Sequence, residues 1–333
     1  MAGTADVTVA DRALDGPHGR LPVRIYTPVD APGDAPAVTP GGTQADAQGS
    51  RADAAPAPAR SGAPGLVWAH GGAFFAGDLD MPEADWVGRQ LAARGIPVVS
   101  LDYRLAPLPD LAAIGGEPPA DAPPLRDVER SPFPVASEEI AWAFGWVHEH
   151  AAEFGIDPER LSLGGASAGG KLTAGASLRL RDAGAVQPRS MMLAYPLLHS
   201  DMPEPSAELA AKITALPPEL AFPREVTDMF NINYVGDASL LANPYAFPGT
   251  ADLRGLPPAF ILNSDADTLR ASGEAYGAAL VAAGVDTLVI REEGTRHGHL
   301  NEPQNPGAHR SIERMAAWLS TGPLTGSPHP DAG

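Results

Sequence analysis

The sequence contains no cysteine. Disulfide bonds, thiolate nucleophiles and cysteine-ligated zinc or iron–sulfur sites are therefore excluded. The chain also lacks a run of about 18 apolar residues, the length that a transmembrane helix needs. Its first residues show no basic start followed by an apolar stretch, the pattern of a secretory signal. From these absences we expect a cytoplasmic protein that does not bind membranes.

Positive charge is scarce. Lysine and arginine number 23 against 41 aspartates and glutamates, which gives a formal net charge of -18. Such a surface repels nucleic-acid phosphates and anionic lipid headgroups. We therefore expect a small-molecule substrate as the partner and no nucleic acid. The sequence leaves the oligomeric state open, with a homodimer as one option.

The 333 residues are 44% hydrophobic and 19% charged, which is enough apolar material for a substantial core. We expect one domain over residues 1–333. Glycine and proline, 36 of each, are concentrated in a few places. The segments 28–65 and 107–132 are so rich in small residues and proline that we predict loops there, the first of them flexible, and a flexible tail over 322–333.

Short apolar runs alternate with longer segments of helical period. This alternation predicts an α/β fold with a mostly parallel central sheet and helices on both faces. The predicted strands are residues 23–26, 66–69, 97–101, 161–164, 191–195, 259–262 and 287–290, and the predicted helices are 84–93, 137–153, 168–183, 269–283 and 308–319. The segment 200–237 breaks the alternation with several prolines, and we predict a small cap or lid there, above the carboxyl ends of the strands.

Ser167 stands in a G-x-S-x-G sequence between a predicted strand and a predicted helix. A nucleophilic serine on such a tight turn needs small neighbours, which Gly165 and Gly169 supply. The helix start adds unpaired amides and the positive end of a dipole. Because an ordinary glycine-rich turn also fits these five residues, the assignment depends on finding a base, an acid and an oxyanion site.

The oxyanion site is predicted in the loop that follows strand 66–69. A serine nucleophile needs amide donors for the negative charge that develops on the substrate oxygen. We expect one amide from Gly72 or Ala73, with Gly71 as a further candidate, and another from Ala168, which follows the nucleophile. The adjacent His70 is interpreted as a residue that shapes this loop.

The base and the acid are sought downstream. In hydrolases with this turn, the acid follows the nucleophile in the chain and the histidine follows the acid. His297 is favoured because Gly298 leaves room beside its ring, and His299 then contacts the substrate or supports the site. For the acid, Asp267 and Asp265 both follow strand 259–262; we favour Asp267, although a helix N-cap is its purely structural alternative.

These residues resemble the bacterial hormone-sensitive-lipase-like (family IV) esterases of the α/β-hydrolase fold. The resemblance rests on HGGA at 70–73, DYRLAP at 102–107, GGASAGG at 164–170, GLPPA at 255–259, DTLR at 267–270 and HGH at 297–299. It implies a catalytic acid at Asp267 and a base at His297. It also implies carboxylic-ester hydrolysis, usually of short acyl chains, without a cofactor.

The chain departs from the family pattern at several positions. Ala73 replaces the third glycine of HGGG, Ala166 replaces an aspartate before the nucleophile, and Lys171 replaces an asparagine. The family's N-terminal cap helices are not recognisable, so we expect an open site. Phe74 and His299 are the expected substrate-binding side chains, and His299 replaces an aromatic residue of the family.

The sequence therefore predicts a serine carboxylesterase with the triad Ser167, Asp267 and His297. An amidase or an acyltransferase with the same three residues is the first alternative, since all of them share an acyl-enzyme. A hydrolase-fold protein that binds a small ligand without catalysis is the second. No metal site is predicted, since His148 and His150 lie two residues apart on a predicted helix and face different directions.

Overall fold

The computed structural model describes residues 6–29, 62–110, 125–217 and 220–322. These residues contain a single eight-stranded sheet. Its strands are β1 (Val7–Gly16), β2 (Gly19–Pro28), β3 (Ala63–Ala69), β4 (Val98–Leu101), β5 (Ile156–Ala166), β6 (Met191–Ala194), β7 (Ala259–Ala266) and β8 (Thr287–Arg296). The order across the sheet is β1-β2-β4-β3-β5-β6-β7-β8.

The sheet is antiparallel at one end and parallel elsewhere. Strands β1 and β2 form an antiparallel hairpin, and β2 runs antiparallel to β4. From β4 through β3, β5, β6 and β7 to β8, every neighbouring pair is parallel. The carboxyl ends of these six strands therefore meet along one edge, which is where open α/β sheets bind ligands.

Helices cover both faces of the sheet. They are α1 (Pro82–Ala92), α2 (Val135–Glu149), α3 (Ala168–Asp182), α4 (Ala207–Thr214), α5 (Arg224–Val235), α6 (Arg270–Ala282) and α7 (Pro306–Thr321). Alternate residues of β3 show the two layers, because successive side chains of a strand point to opposite faces. Leu66 and Trp68 pack with α1 and α7, whereas Val67 and Ala69 pack with α2 and α3.

The observed elements overlap the predicted ones, but β5 and β8 are longer than predicted, and β1 and the end of α2 differ as well. Strand β1 was not predicted, because its sequence VTVADRALDG contains no continuous apolar run and most of it stays accessible. Its place in the sheet comes from pairing with β2. The helix predicted over 137–153 ends at Glu149, and a separate 3₁₀ turn, Ala151–Phe154, follows it and closes on Gly155 in a left-handed conformation.

The first predicted loop, 28–65, extended into the sheet at both ends. Pro28 belongs to β2 and Ala63 begins β3, because Pro28 pairs with Val7 and Ala63 with Ile156. The centre of the first loop, 30–61, lies outside the described residues, as do 111–124 of the second loop and 323–333 of the predicted tail. The described ends of the second loop, 107–110 and 125–132, contain neither helix nor strand.

The segment 200–237 contains α4 and α5. Part of it, Phe222 and the α5 residues Thr227 and Phe230, lies against the cavity at the carboxyl edge of the sheet. Across residues 6–29, 62–110, 125–217 and 220–322, none of the helices combines the length and apolar character required to cross a lipid bilayer.

Candidate active site

Ser167 occupies the sharp turn between β5 and α3. Its backbone has φ 51° and ψ -114°, a strained combination for a residue with a side chain. The turn is held from both sides. The Ser167 amide donates to the carbonyl of Ala194 at 2.8 Å, and the Ser167 carbonyl accepts from the backbone amide of Lys171 at 3.2 Å. The neighbouring strand and the helix together force the hydroxyl toward the cavity at the sheet edge.

The glycines on each side of the turn are required by close backbone contacts. A Cβ atom on Gly169 would lie 2.1 Å from the carbonyl oxygen of Ala69, and one on Gly165 would lie 2.5 Å from the carbonyl oxygen of Gly169. Neither backbone can move without displacing strand β3 or helix α3. The G-x-S-x-G pattern therefore reflects a real steric need at this position.

His297 joins Ser167 to Asp267. The Nε2 atom of His297 lies 3.0 Å from Ser167 Oγ, and its Nδ1 atom lies 2.8 Å from Asp267 Oδ2. The Asp267 side chain is fully buried and its other oxygen accepts the amide of Leu269 at 2.9 Å. With its proton on Nδ1, the imidazole donates to Asp267 and leaves Nε2 to accept from the hydroxyl. Three residues from three separate loops thus form one hydrogen-bonded chain.

Asp265, the competing acid, has different partners. One of its oxygens pairs with Lys212 of α4, and the other accepts the amide of Gly294 at 3.1 Å. A second contact of α4 with the sheet side of the molecule is made by Glu208, which pairs with the buried Arg270 at 2.9 Å. Asp265 therefore attaches the cap segment to the sheet edge and does not contact His297.

The loop after β3 carries amides that face no protein acceptor. Within the described part of the chain, the amides of Gly72 and Ala73 donate to no other protein atom. Both residues have positive φ, 112° and 50°, and Phe74 follows at 71°. Ala168 is the first residue of α3, where an amide has no carbonyl in a preceding turn. These groups line the same cavity as Ser167.

The structure corrects the prediction for Gly71. Its amide donates to Glu83 Oε2 at 2.8 Å and is therefore unavailable to a bound oxygen. Sequence reasoning missed Glu83, because an acid in the first turn of a helix is an ordinary feature. His70 shapes the loop as predicted: its Nδ1 lies 2.6 Å from the Gly71 carbonyl oxygen, and its ring stacks on Tyr103.

The cavity has a volume of about 450 Å³. Phe75 and Phe230 face each other with ring centroids 5.7 Å apart, and Phe222 meets the edge of the His297 ring at 4.9 Å. Leu197 and Leu269 complete this apolar side. Space for a small organic molecule therefore lies beside Ser167, with aromatic groups on one side of it.

Of the two predicted substrate-binding side chains, only Phe74 lines the cavity. The prediction for His299 was wrong: its ring is fully buried between the hydroxyls of Ser264 and Ser311, at 2.9 Å from each. Burial lowers the pKa of His299 to about 4. The αL conformation of Gly298 turns these two neighbouring histidines in opposite directions, His297 to the cavity and His299 to the interior.

Lys171, four residues after Ser167, is fully buried. Its ammonium group lies 3.9 Å from the ring centre of Phe247 and 4.6 Å from that of Phe74, and it donates to Asn231 of α5 at 2.8 Å. Burial holds the pKa of Lys171 well below its usual value. The side chain thus links the start of α3 to the cap segment.

Comparisons with known proteins agree with this architecture. A family model described as the alpha/beta hydrolase fold matches residues 66–113 and 129–301. A carboxylesterase of Mycobacterium tuberculosis, NlhH, is 34% identical over 247 residues, which cover 73% of this chain and 68% of that protein. An arylesterase of Saccharolobus solfataricus is 31% identical over 237 residues, covering 71% and 68% respectively.

Solved structures give the same result. The chain is similar to EstE1, a thermostable carboxylesterase cloned from a metagenomic library, with a TM-score of 0.72 and 26% identity over 95% of this chain and 89% of that one. An esterase of Pyrobaculum calidifontis gives a TM-score of 0.71 and 26% identity, covering 96% and 86%. The predicted fold is therefore confirmed, and the chain belongs to the bacterial hormone-sensitive-lipase-like (family IV) esterases of the α/β-hydrolase fold.

Proposed function

We propose that the protein is a serine carboxylesterase that hydrolyses esters of short acyl chains through an acyl-enzyme. The observation that supports this proposal best is the unbroken hydrogen-bonded chain from Asp267 through His297 to Ser167, at 2.8 and 3.0 Å, in the wall of an apolar cavity. The names of the relatives, carboxylesterase and arylesterase, support the same class of reaction.

In the first half of the reaction, Ser167 Oγ attacks the carbonyl carbon of the ester while its proton passes to His297 Nε2. The negative charge of Asp267 stabilises the resulting imidazolium and keeps its Nε2 atom facing the serine. The amides of Gly72, Ala73 and Ala168 donate to the oxyanion. When the carbon–oxygen bond to the alcohol breaks, the same proton passes from Nε2 to the alcohol oxygen, which leaves the acyl group on Ser167.

In the second half, water takes the place of the alcohol. His297 Nε2 removes a proton from the water as its oxygen attacks the acyl carbon, and the oxyanion again forms against the three amides. Collapse of this intermediate returns the proton to Ser167 Oγ and releases the carboxylic acid. Both halves of the reaction therefore balance with the ester, water and the protein's own residues.

The preference for short acyl chains follows from the size of the cavity. A volume of about 450 Å³ must hold both the acyl and the alcohol parts of the substrate. Phe75, Phe222 and Phe230 limit its apolar side, and Phe222 and Phe230 belong to the segment that carries the cap helices. A long acyl chain needs these rings to move, whereas an acetyl or butyryl group does not.

The proposal is tested by hydrolysis of p-nitrophenyl esters from acetate to palmitate. We expect the highest kcat/KM between two and six carbons, and a fall of at least tenfold by twelve carbons. Ser167→Ala should lose turnover and should no longer gain mass from an organophosphonate, a reagent that modifies an activated serine. Labelling that survives this substitution would place the nucleophile elsewhere.

Matched substrates separate the alternatives. A butyryl anilide that is cleaved as fast as the corresponding phenyl ester would indicate an amidase. Transfer of the acyl group to an added alcohol in preference to water would indicate an acyltransferase. Binding of the esters without turnover by the intact protein would contradict catalysis altogether.

A further inference from the structure

Glu83 is a buried carboxylate beside the candidate active site. Its side chain is completely inaccessible, and no salt bridge connects it to a cation among the described residues. Burial raises the pKa of Glu83. Taking an ionised carboxylate out of water without a cation is strongly unfavourable unless hydrogen bonds replace the lost hydration. The partners of its two oxygens therefore explain why this carboxylate can occupy the site.

Both oxygens accept from N–H groups. Oε2 accepts the amide of Gly71 at 2.8 Å, and Oε1 accepts the indole N–H of Trp68 at 2.8 Å. The Glu83 amide in turn donates to the side chain of Asn301, in the segment that follows His297. One residue of α1 thus connects the end of β3, the loop after it and the histidine loop.

The bond to Gly71 fixes the direction of the loop that faces Ser167. Gly71 lies between the carboxylate and the serine: a Cβ atom on it would be 3.3 Å from Glu83 Oε2 and 3.5 Å from Ser167 Cβ. The Gly71 amide is held by the carboxylate, whereas the next two residues, both with positive φ, line the cavity and have amides that donate to no other protein atom in the described part of the chain. A free Gly71 peptide could rotate and carry those amides with it.

We propose that Glu83 is a positioning residue of the esterase reaction, whose buried carboxylate holds the Gly71 amide and so directs the amides of Gly72 and Ala73 toward the oxyanion. The inference rests on the proposed function. Glu83 does not act on the substrate itself, because both oxygens are engaged and no part of the side chain is accessible.

Glu83→Gln tests the inference at constant size. A carboxamide has one oxygen that accepts and one NH₂ group that donates. Either the Gly71 amide or the Trp68 indole therefore loses its acceptor and faces the NH₂ group of the glutamine instead. We expect kcat for p-nitrophenyl butyrate to fall by about 10- to 100-fold, since a misdirected oxyanion donor costs nearly as much as a missing one. KM should stay within threefold. Affinity for a trifluoromethyl ketone, whose adduct carries the oxyanion, should fall in proportion to kcat.

Trp68→Phe is the matched control. It removes the indole donor but leaves the bond between Glu83 and Gly71, so kcat should stay within threefold of the wild type. The double variant combines Trp68→Phe with Glu83→Gln, so the indole N–H is absent. The carboxamide oxygen can then accept from the Gly71 amide while its NH₂ group faces no other N–H donor. The double variant should therefore recover most of the kcat lost in Glu83→Gln, and it remains informative if the single variant does not fold.

The outcomes are distinct. An unchanged kcat in Glu83→Gln, an equal loss in Trp68→Phe, or a double variant no better than Glu83→Gln would each overturn the inference and leave the proposed function standing. A wild-type protein that hydrolyses no ester would remove the proposed function, and the inference with it. Melting temperatures of all four proteins show whether a loss of kcat follows a loss of folded protein.

Discussion

His297 turns its Nε2 atom toward the hydroxyl of Ser167 at 3.0 Å, although 130 residues separate the two in the chain. Strand β5 and helix α3 fix the serine, and the loop after β8 fixes the imidazole. Because β5 and β8 are both parallel strands with their carboxyl ends at the same edge, a long separation in sequence becomes a hydrogen bond.

The two competing aspartates should differ sharply in their effect on turnover. Asp267→Asn removes the charge that orients and stabilises His297, and we expect kcat to fall by about 10⁴-fold. Asp265→Asn is the control two residues away, and we expect less than a tenfold change because Asp265 contacts Lys212 and the Gly294 amide instead. Steady-state kinetics of both variants with one ester decide the point, and a larger loss in Asp265→Asn would reverse the assignment of the acid.

Ala73→Gly should stabilise the protein. Ala73 has φ 50°, a left-handed conformation that costs a residue with a Cβ atom about 1 kcal/mol more than glycine. Removing the methyl group relieves this strain and keeps the amide, so the melting temperature should rise by roughly 2 °C and kcat should stay within threefold. Thermal unfolding of the two proteins checks the prediction. A lower melting temperature would show that the methyl group contributes packing worth more than the strain.

His299 should make the folded state less stable in mild acid. Its pKa is about 4 in the folded protein against 6.5 for the free side chain, so the unfolded chain binds a proton that the folded chain excludes. The associated stability is therefore complete above pH 6.5 and is lost as the pH falls toward 4, by up to about 3 kcal/mol. Urea unfolding of the wild type and His299→Phe at several pH values should show this slope only in the wild type.

Lys171 should make stability rise with pH on the alkaline side. Burial lowers its pKa, so at alkaline pH below the ordinary value of 10.5 the unfolded chain retains a proton that the folded chain releases more easily. Lys171→Met has a similar length, fills the space between the same rings and cannot titrate. The difference in unfolding free energy between the two proteins should therefore change in favour of the wild type as the pH rises. Parallel curves would mean that the buried amine titrates normally.

Much of the fold could be predicted because its signals are local. Seven of the eight strands in the described part of the chain appear in the sequence as short apolar runs between glycines and prolines. Strand β1 does not, because it has no continuous apolar run and its place depends on pairing with β2. This pairing leaves no trace in the sequence of β1 alone.

The direction of side chains at the sheet edge was harder to predict. Motif and chain order placed Ser167, Asp267 and His297 in neighbouring loops, and the structure brings these three together. His299, two residues from His297, points into the core because the backbone reverses at Gly298. Glu83 was missed for a related reason: nothing in the sequence shows that this acid faces the interior while Asp85, also in the first turn of α1, is partly accessible.

Asp265 and Asp267 lie two residues apart on the same stretch of backbone, and each contacts a different part of the structure. Asp265 pairs with Lys212 of α4, and Asp267 hydrogen-bonds to the imidazole of His297. The two contacts differ in exposure, because the Lys212 side chain is partly accessible whereas Asp267 is fully buried. Salt screens partly exposed charges more strongly than buried ones. High salt should therefore loosen the attachment of α4 before it disturbs the hydrogen bond between Asp267 and His297.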